Sequence, residues 1–488
     1  MDLISKKRTF KILKFISMMK QNYLFIILLI LAPFMLIAQG YYNQENFGNR
    51  SLLLSGNVTG SVDDLGLTYY NPARIALIDD PIFSINAKAY QVSSLKLKNV
   101  FGRDRELSDS KFEGVPSLLA GTFKLGKSEK HKFAYAFLSK QRNSLSIDAR
   151  NESTEGDLID ESDDIERIAS SLELNNTVRD EWFGFTWGTK LKENFSIGVS
   201  TFVSVFNYKG KYDLRLATLD EVDDVDFYNN EIRFGQTSYG IFWKVGLAWK
   251  LKKFDIGLNV DMPYLELVKS GKVSYAEFLS GFGNGDDIYD FGQLNGLESN
   301  RKQPLGISFG VGIPWKKNTI HLKADWHGAV SEYDRLVIPI IDDGTGEPEE
   351  IIFKEELRSV LNFGVGAEFY LSEKFDLFAS FTTDFTPLVS NATIFDLVGE
   401  RDTDVNISAD YFHYGLGFDI KLNRVNITVG GTYSSATTDF ERPVDFPDPE
   451  PDPNPPPLNE DPSSASFSRY RFIVGLEFPI FGYDVNFK

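Results

Sequence analysis

The 488-residue sequence contains no cysteine and only four histidines. Without thiols there is no disulfide, no thiolate nucleophile and no cysteine-ligated zinc or iron–sulfur centre. His321 and His327 fall on one face of an expected strand, opposite Leu322, Ala324 and Trp326. They lie about 20 Å apart along extended chain, too far to share one metal ion, so pore-facing packing or hydrogen bonding is their expected role. Cations are outnumbered, 51 Lys and Arg against 69 Asp and Glu, and the net charge of -18 argues against a nucleic-acid partner, which needs a cationic face for phosphates. The sequence has no Gly-Xaa-Ser-Xaa-Gly elbow, no His-Glu-Xaa-Xaa-His helix and no phosphate-binding glycine loop, so neither an enzyme nor a bound cofactor is expected. Beyond residue 37 long apolar runs are missing too, and the mean hydropathy of -0.21 is far from that of a helical membrane protein.

The one long apolar run is N-terminal. Lys6, Lys7, Arg8, Lys11, Lys14 and Lys20 precede the stretch Tyr23 to Ile37, and Ala38 before Gln39 offers a small-residue cleavage point. That order reads as an export signal over residues 1–38, with a helical membrane anchor as the competing reading.

Aromatic residues make up 14 % of the chain, with 41 Phe and 21 Tyr beside 39 Gly. From about residue 80 they recur with a two-residue period. Ile241, Trp243, Val245, Leu247 and Trp249 alternate with Phe242, Lys244, Gly246, Ala248 and Lys250; Ile307, Phe309 and Val311 alternate with Gly306, Ser308 and Gly310; Phe363 and Val365 with Gly364 and Gly366. Period two marks strands with unlike faces. Here the second face is too charged for a dry sandwich core, and Lys244, Asp255, Asp261, Lys323, Asp325, Arg471 and Glu477 are expected to point into a lumen, where internal salt bridges are their simplest role.

The pattern gives fourteen strands, at 82–98, 113–125, 131–150, 174–191, 194–217, 231–251, 254–271, 300–315, 318–335, 352–371, 375–390, 404–421, 424–438 and 466–479. Short connections, such as Lys192–Glu193 and Lys316–Lys317, alternate with long ones, such as 151–173, 218–230 and 272–299. Segment 151–173 has nine acidic residues and one base, Arg167. The proline- and acid-rich tract Pro447 to Pro457 reads as extended, exposed loop. Short turns at one end and long acidic loops at the other are the asymmetry of an outer-membrane barrel, which implies outer-membrane lipids as partners, loops outside and both chain ends in the periplasm. Trp187, Trp249 and Trp315 precede short turns in the lipid-facing phase, as an aromatic girdle requires. A soluble sandwich or propeller leaves these features without a shared cause. The expected class is therefore all-β, a closed antiparallel transmembrane barrel over 82–479 with a tail at 480–488.

Fourteen strands enclose a lumen of roughly 28 Å between backbones, too wide for side chains to fill. Residues 39–81 precede the first strand and are long enough to plug it. They contain Asn71-Pro72-Ala73-Arg74, in which proline fixes its own φ, restricts Asn71 and favours a turn. With this motif between an export signal and a fourteen-strand pattern, the chain resembles the long-chain fatty-acid and hydrophobic-compound transporter family of bacterial outer membranes. Members carry an N-terminal hatch with an Asn-Pro-Ala motif, matched by Asn71, Pro72 and Ala73; Arg74 stands where the family commonly has glycine. The resemblance implies passive uptake of a hydrophobic small molecule, such as a fatty-acid-like compound, through an apolar pocket and past a hatch over 39–81. An ordinary turn is the competing reading of the motif, and a barrel that docks an envelope or secretion-system protein is the alternative function.

Overall fold

The computed structural model describes residues 42–78, 82–99, 106–123, 130–153, 165–220, 225–281, 287–341, 349–389, 408–440 and 463–479. The expected export signal, the tail 480–488 and the tract Pro447–Pro457 lie outside the described residues. Among them the strands are β1 (Ile82–Lys98), β2 (Glu106–Phe123), β3 (His131–Ser153), β4 (Ile165–Lys192), β5 (Phe195–Asp220), β6 (Val225–Lys250), β7 (Asp255–Asp261), β8 (Leu265–Ser280), β9 (Ile288–Leu297), β10 (Gly306–Trp315), β11 (Asn318–His327), β12 (Val330–Ile341), β13 (Glu349–Leu357), β14 (Val360–Ser372), β15 (Phe375–Asp384), β16 (Tyr411–Lys421), β17 (Asn426–Phe440) and β18 (Ser463–Pro479).

Fourteen of these close a ring: β1 to β7, then β10, β11 and β14 to β18, with β18 returning to β1 through pairs from Ile82 with Pro479 to Lys98 with Ser464. Every neighbouring pair is antiparallel, and two-residue turns such as Lys316–Lys317 sit at one end. Closure leaves no strand edge, the condition for burying backbone amides in an apolar medium. The outward face of the ring is apolar around its girth, with Phe309 46 % and Phe363 51 % exposed and Val245 and Val365 beside them in the same phase. Toward the tight turns the band ends in Trp249, stacked on Phe195 at 4.7 Å, and an exposed Trp315. Toward the loops it ends in aromatic pairs such as Tyr90 with Phe112 at 5.4 Å and Tyr433 with Tyr470 at 4.6 Å.

The wall is uneven in height, which alters several expected strand bounds. β4, β5 and β6 run for 28, 26 and 26 residues, where about 9–11 suffice to cross a bilayer. Much of the expected loops 151–173, 218–230 and 272–299 is therefore strand, continued beyond the apolar band by the pairing of β6 with β8 and of β8 with β9. Above the band both faces carry polar residues, so acidic composition there does not distinguish strand from loop.

Three expected strands are interrupted. Met262-Pro263-Tyr264 separates β7 from β8 because Pro263 lacks a ladder donor. The expected strand 300–315 begins at Gly306, and the expected strands 318–335 and 352–371 break at Gly328–Ala329 and Arg358–Ser359. The upper halves of the last two leave the ring as the hairpin β12–β13, whose Leu336 and Ile338 are buried against Tyr208, Phe234 and Val273 on the inner face of the tall wall. Apolar contact across the mouth outcompetes continuation of the ring.

Placing arginine at Val245 or Phe309 puts a charge on the outward apolar face. Either change is expected to destabilise the barrel in lipid by about 2–4 kcal/mol, read by denaturant unfolding in bilayer vesicles; no loss in either variant would contradict the assignment of that face.

Candidate functional site

The lumen is occupied by residues 42–78, nearly all of them buried. The inward strand phase makes room for them with glycine. A Cβ on Gly198 or Gly246 would collide with Pro72 or Asn71, and one on Gly257 or Gly310 with Thr59 or Gly60. These glycines let backbone lie directly on backbone, so the wall can bond to the segment inside it.

Asn71 uses that proximity. Its Nδ2 donates to Thr59 O at 2.8 Å and to Leu247 O of β6 at 3.0 Å, while its Oδ1 accepts from Ala73 N at 3.2 Å. It thereby caps the 3-10 helix Pro72–Leu77, with proline at the first position where no donor is needed. Arg74 is buried, with Nε donating to Val62 O at 2.9 Å and Nη1 reaching Gly60 O at 3.0 Å and Asp255 at 3.2 Å. The arginine in the place of glycine is thus a brace between two passes of the segment and the wall. Ser196 Oγ of β5 adds a bond to Ala73 O at 2.9 Å.

The start of the described segment sits at the loop end of the lumen. The amides of Tyr42 and Asn43 both donate to Asp384, the last residue of β15, at 3.0 Å, and the Tyr42 ring stacks on His327 at 3.5 Å. Glu45 binds Arg471, which also holds Gln91 Oε1 at 2.7 Å and Gln44 O at 2.6 Å. Nearer the tight turns, Arg50 joins Asp63 at 2.6 Å and also Glu368, while Ser61 Oγ lies 2.7 Å from His321 Nδ1. The two histidines therefore serve separate contacts with the inner segment.

Above this segment lies a cavity of about 300 Å³ floored by Tyr69 and Tyr70. Lys244, Asp261, Lys323 and Asp325 all line it, as the pairs Lys244–Asp261 and Lys323–Asp325, each at 2.5 Å. Asp255 and Arg471 lie outside it and hold the inner segment, while Glu477 lies on β18 with Asn426 Nδ2 at 3.5 Å. Aromatic faces alternate with these charges: Trp182 stacks on Phe242 at 4.4 Å and Phe242 on Tyr264 at 4.6 Å. Arg301 threads between them, 4.0 Å over the Phe206 ring and paired with Asp180 at 2.7 Å. The cavity thus combines apolar ring faces with paired charges, and its desolvated ions persist where each has a partner or an aromatic face.

Some donors among the described residues lack such a partner, the Tyr42 hydroxyl among them. Trp182 Nε1 is buried with no acceptor. The Lys140 ammonium stands 5.6 Å over the Tyr69 ring and, among the described residues, has no hydrogen bond or ion pair. Lys140 is the extra residue of a bulge in β3, between the pairs Ser139–Glu181 and Gln141–Asp180.

At the bulge the wall opens. β2 and β3 pair only from Leu118–Phe123 to Phe133–Leu138; beyond that β2 stays with β1 as far as Glu106 and β3 with β4 as far as Ser153. The cavity reaches this gap, where Lys111 Nζ meets Ser144 Oγ at 3.1 Å. The polar run Ser139 to Ser144, which interrupts the alternation within an expected strand, was its signal in the sequence. On the loop side Arg335 of β12 lies 4.6 Å over the Tyr208 ring. Burial and the nearby Glu355 carboxylate hold the Tyr333 hydroxyl well above its usual pKa, so it remains a donor to Glu355.

Solved structures share the barrel fold. The chain is similar to a Pseudomonas aeruginosa FadL homologue, at 12% identity over 91% of this chain and 99% of that one, with a TM-score of 0.57. It is similar also to the Pseudomonas putida toluene transporter TodX, at 11% identity, 91% and 100% coverage and a TM-score of 0.55. The chain has the FadL-type barrel fold. The Ralstonia pickettii toluene transporter TbuX is a third instance, at 13% identity, 90% and 100% coverage and a TM-score of 0.50. No family model and no curated protein matches the sequence. At these identities the FadL-type likeness establishes the fold, and the residues described above carry the rest.

Changing Asn71 to Ala removes the side-chain donor to Thr59 O and Leu247 O, at a cost of about 1–3 kcal/mol. The expected result is faster amide exchange across 42–78 and greater ion conductance in planar bilayers, with unchanged exchange in β14 to β18; unaltered exchange and conductance would rule out the anchoring role.

Proposed function

We propose that this chain is an outer-membrane barrel that passively conducts hydrophobic small molecules bearing an acceptor or anionic head, such as fatty-acid-like compounds, with residues 39–81 as its hatch. The observation that carries the reading is the cavity, floored by the Tyr69–Tyr70 turn and continuous with the gap between β2 and β3. A closed pore would need movement of the whole plug, whereas this geometry offers a side route between the loop-side lumen and the outer part of the apolar band. Two of the similar structures are toluene transporters, which supports hydrophobic cargo as a class. Lys140 and Trp182 Nε1 supply donors for a polar head, and the rings of Trp182, Phe242 and Tyr264 supply contact for an apolar body. In this reading the N-terminal segment 1–38 directs export, the tight turns are periplasmic and the acidic loops face outside. The alternative of a docking barrel gains nothing from an internal cavity that reaches the wall.

Uptake of a fluorescent fatty acid into vesicles containing the protein tests the proposal. Saturable flux above that of empty vesicles is expected, and Lys140→Met is expected to raise the half-saturating concentration about tenfold, the effect of losing one charge-assisted hydrogen bond. Cysteines at Ala73 and Ser196 in the cysteine-free chain then test the hatch: a reversible fall in flux on crosslinking supports movement of the segment. Flux indistinguishable from leakage would remove transport, and full flux with a verified crosslink would retain transport through the side gap while removing hatch movement.

A further inference from the structure

The outer face of the tall wall carries a band of cations just beyond its apolar residues, with Arg179 opposite Asn207 and Lys209 opposite Thr177. Lipid-facing apolar residues end there at Phe183 on β4, Val205 on β5, Tyr239 on β6 and Val268 on β8, joined by the pairs Val205–Tyr239 and Tyr239–Val268. Four residues farther from the band on three of these strands, about 13 Å along the chain, the same outward phase presents Arg179, Lys209 and Lys272. Arg142 of β3 faces Arg179 directly. Lys209 faces Gly235, and Gly235 faces Lys272, whose side chain lies over the space the glycine leaves: a Cβ there would come within 2.9 Å of Lys272 Cε.

Three features set this row apart from ordinary surface charge. First, Arg179, Lys209 and Lys272 are exposed and, among the described residues, have no hydrogen bond or ion pair, while Arg142 is held by Glu181 at 3.0 Å. The cations just above the row are all neutralised: Lys211 by Glu173 and Asp213, Arg215 by Asp213, and Arg233 by Glu231. Second, the opposite half of the ring neutralises its cation at the same offset. There the row Phe112, Val92, Tyr470, Tyr433 is followed two residues higher by Ser110, Ser94, Ser468, Ser435 and four residues above Val92 by Lys96, which Glu106 holds at 2.9 Å. Third, like charges directly opposite in a sheet repel, and a chain of net charge -18 concentrates them here. A bound anion at this position relieves that repulsion.

We propose that Arg179, Lys209 and Lys272, with Arg142 beside them, form a docking site for the phosphorylated headgroup of an outer-leaflet glycolipid. The row stands where headgroups lie when the apolar band is immersed, and a guanidinium with two ammonium groups across neighbouring strands matches a headgroup bearing two phosphates. The exposed Phe183, Val203, Tyr239 and Val268 below it supply a face for the acyl chains. The inference rests on the outer-membrane reading but not on transport, since flux is not its readout.

The test is titration of the full-length, detergent-purified protein with diphosphoryl lipid A, its dephosphorylated form and inorganic phosphate, followed by native mass spectrometry. Saturable binding of the diphosphoryl form is expected, at least about tenfold tighter than that of the dephosphorylated one. The variant Arg179→Gln/Lys209→Gln/Lys272→Gln is expected to lose that preference, whereas Lys211→Gln/Arg233→Gln, which removes neutralised cations from the same face, keeps it. Gly235→Leu, which displaces Lys272 without removing charge, gives an independent several-fold loss should the triple variant assemble poorly. Equal binding of the two lipid forms, or undiminished preference in both the triple variant and Gly235→Leu, would overturn the proposal. Displacement of the lipid by millimolar inorganic phosphate would reassign the row to a soluble anion and overturn lipid docking.

Discussion

Every backbone amide within an apolar band must find a partner in the protein, and the rest of this structure depends on that requirement. It forces the strands into a closed ring, and a ring of fourteen leaves a lumen that side chains alone cannot fill. Filling it with a length of chain creates a second hydrogen-bonding problem inside the first, since that chain also brings amides and carbonyls. The wall solves it with glycine at points of contact and with side chains such as Asn71, Ser196 and Arg74 that bond to backbone across the interface. The same requirement marks the gap between β2 and β3 as an exception, located where the cavity meets the wall.

The ring was legible in the sequence because lipid on one side and a wet or chain-filled lumen on the other impose a two-residue alternation at every turn of the wall. Val245 against Lys244, and Phe309 against Gly310, carry that contrast without help from their neighbours. Legibility fails where the contrast disappears. Above the band the outer residues of β4 to β6 are as polar as loop residues, so strand reads as loop. The hairpin β12–β13 depends on Leu336 and Ile338 meeting Tyr208 and Phe234, residues more than a hundred positions away, which no local pattern announces.

The cavity was legible only in part. Lys244, Asp261, Lys323 and Asp325 could be placed on the inward face by phase alone. Their partners Tyr69, Trp182 and Arg301 come from the inner segment, the band and a linker, so their convergence is a product of tertiary folding. Inward-phase glycines were visible throughout the strands, and their meaning as landing points for a second layer of backbone becomes clear once that layer is in place. The aromatic and charged lining also alters the chemistry expected of the cavity, which offers oriented dipoles and ring faces rather than an oil-like interior.

The pairing of β1 with β18 has a consequence for the order of assembly. Ile82 lies beside Pro479, so the seam of the ring joins the first wall residue after the inner segment to the last strand of the chain. Contacts of such sequence separation form late, because loop-closure entropy must be overcome first. Until the seam forms, the sheet is an open trough and the segment 42–78 is tethered at its edge. The inner layer can therefore settle sideways onto its glycine track and be enclosed when the last strand arrives, with no threading through a finished cylinder.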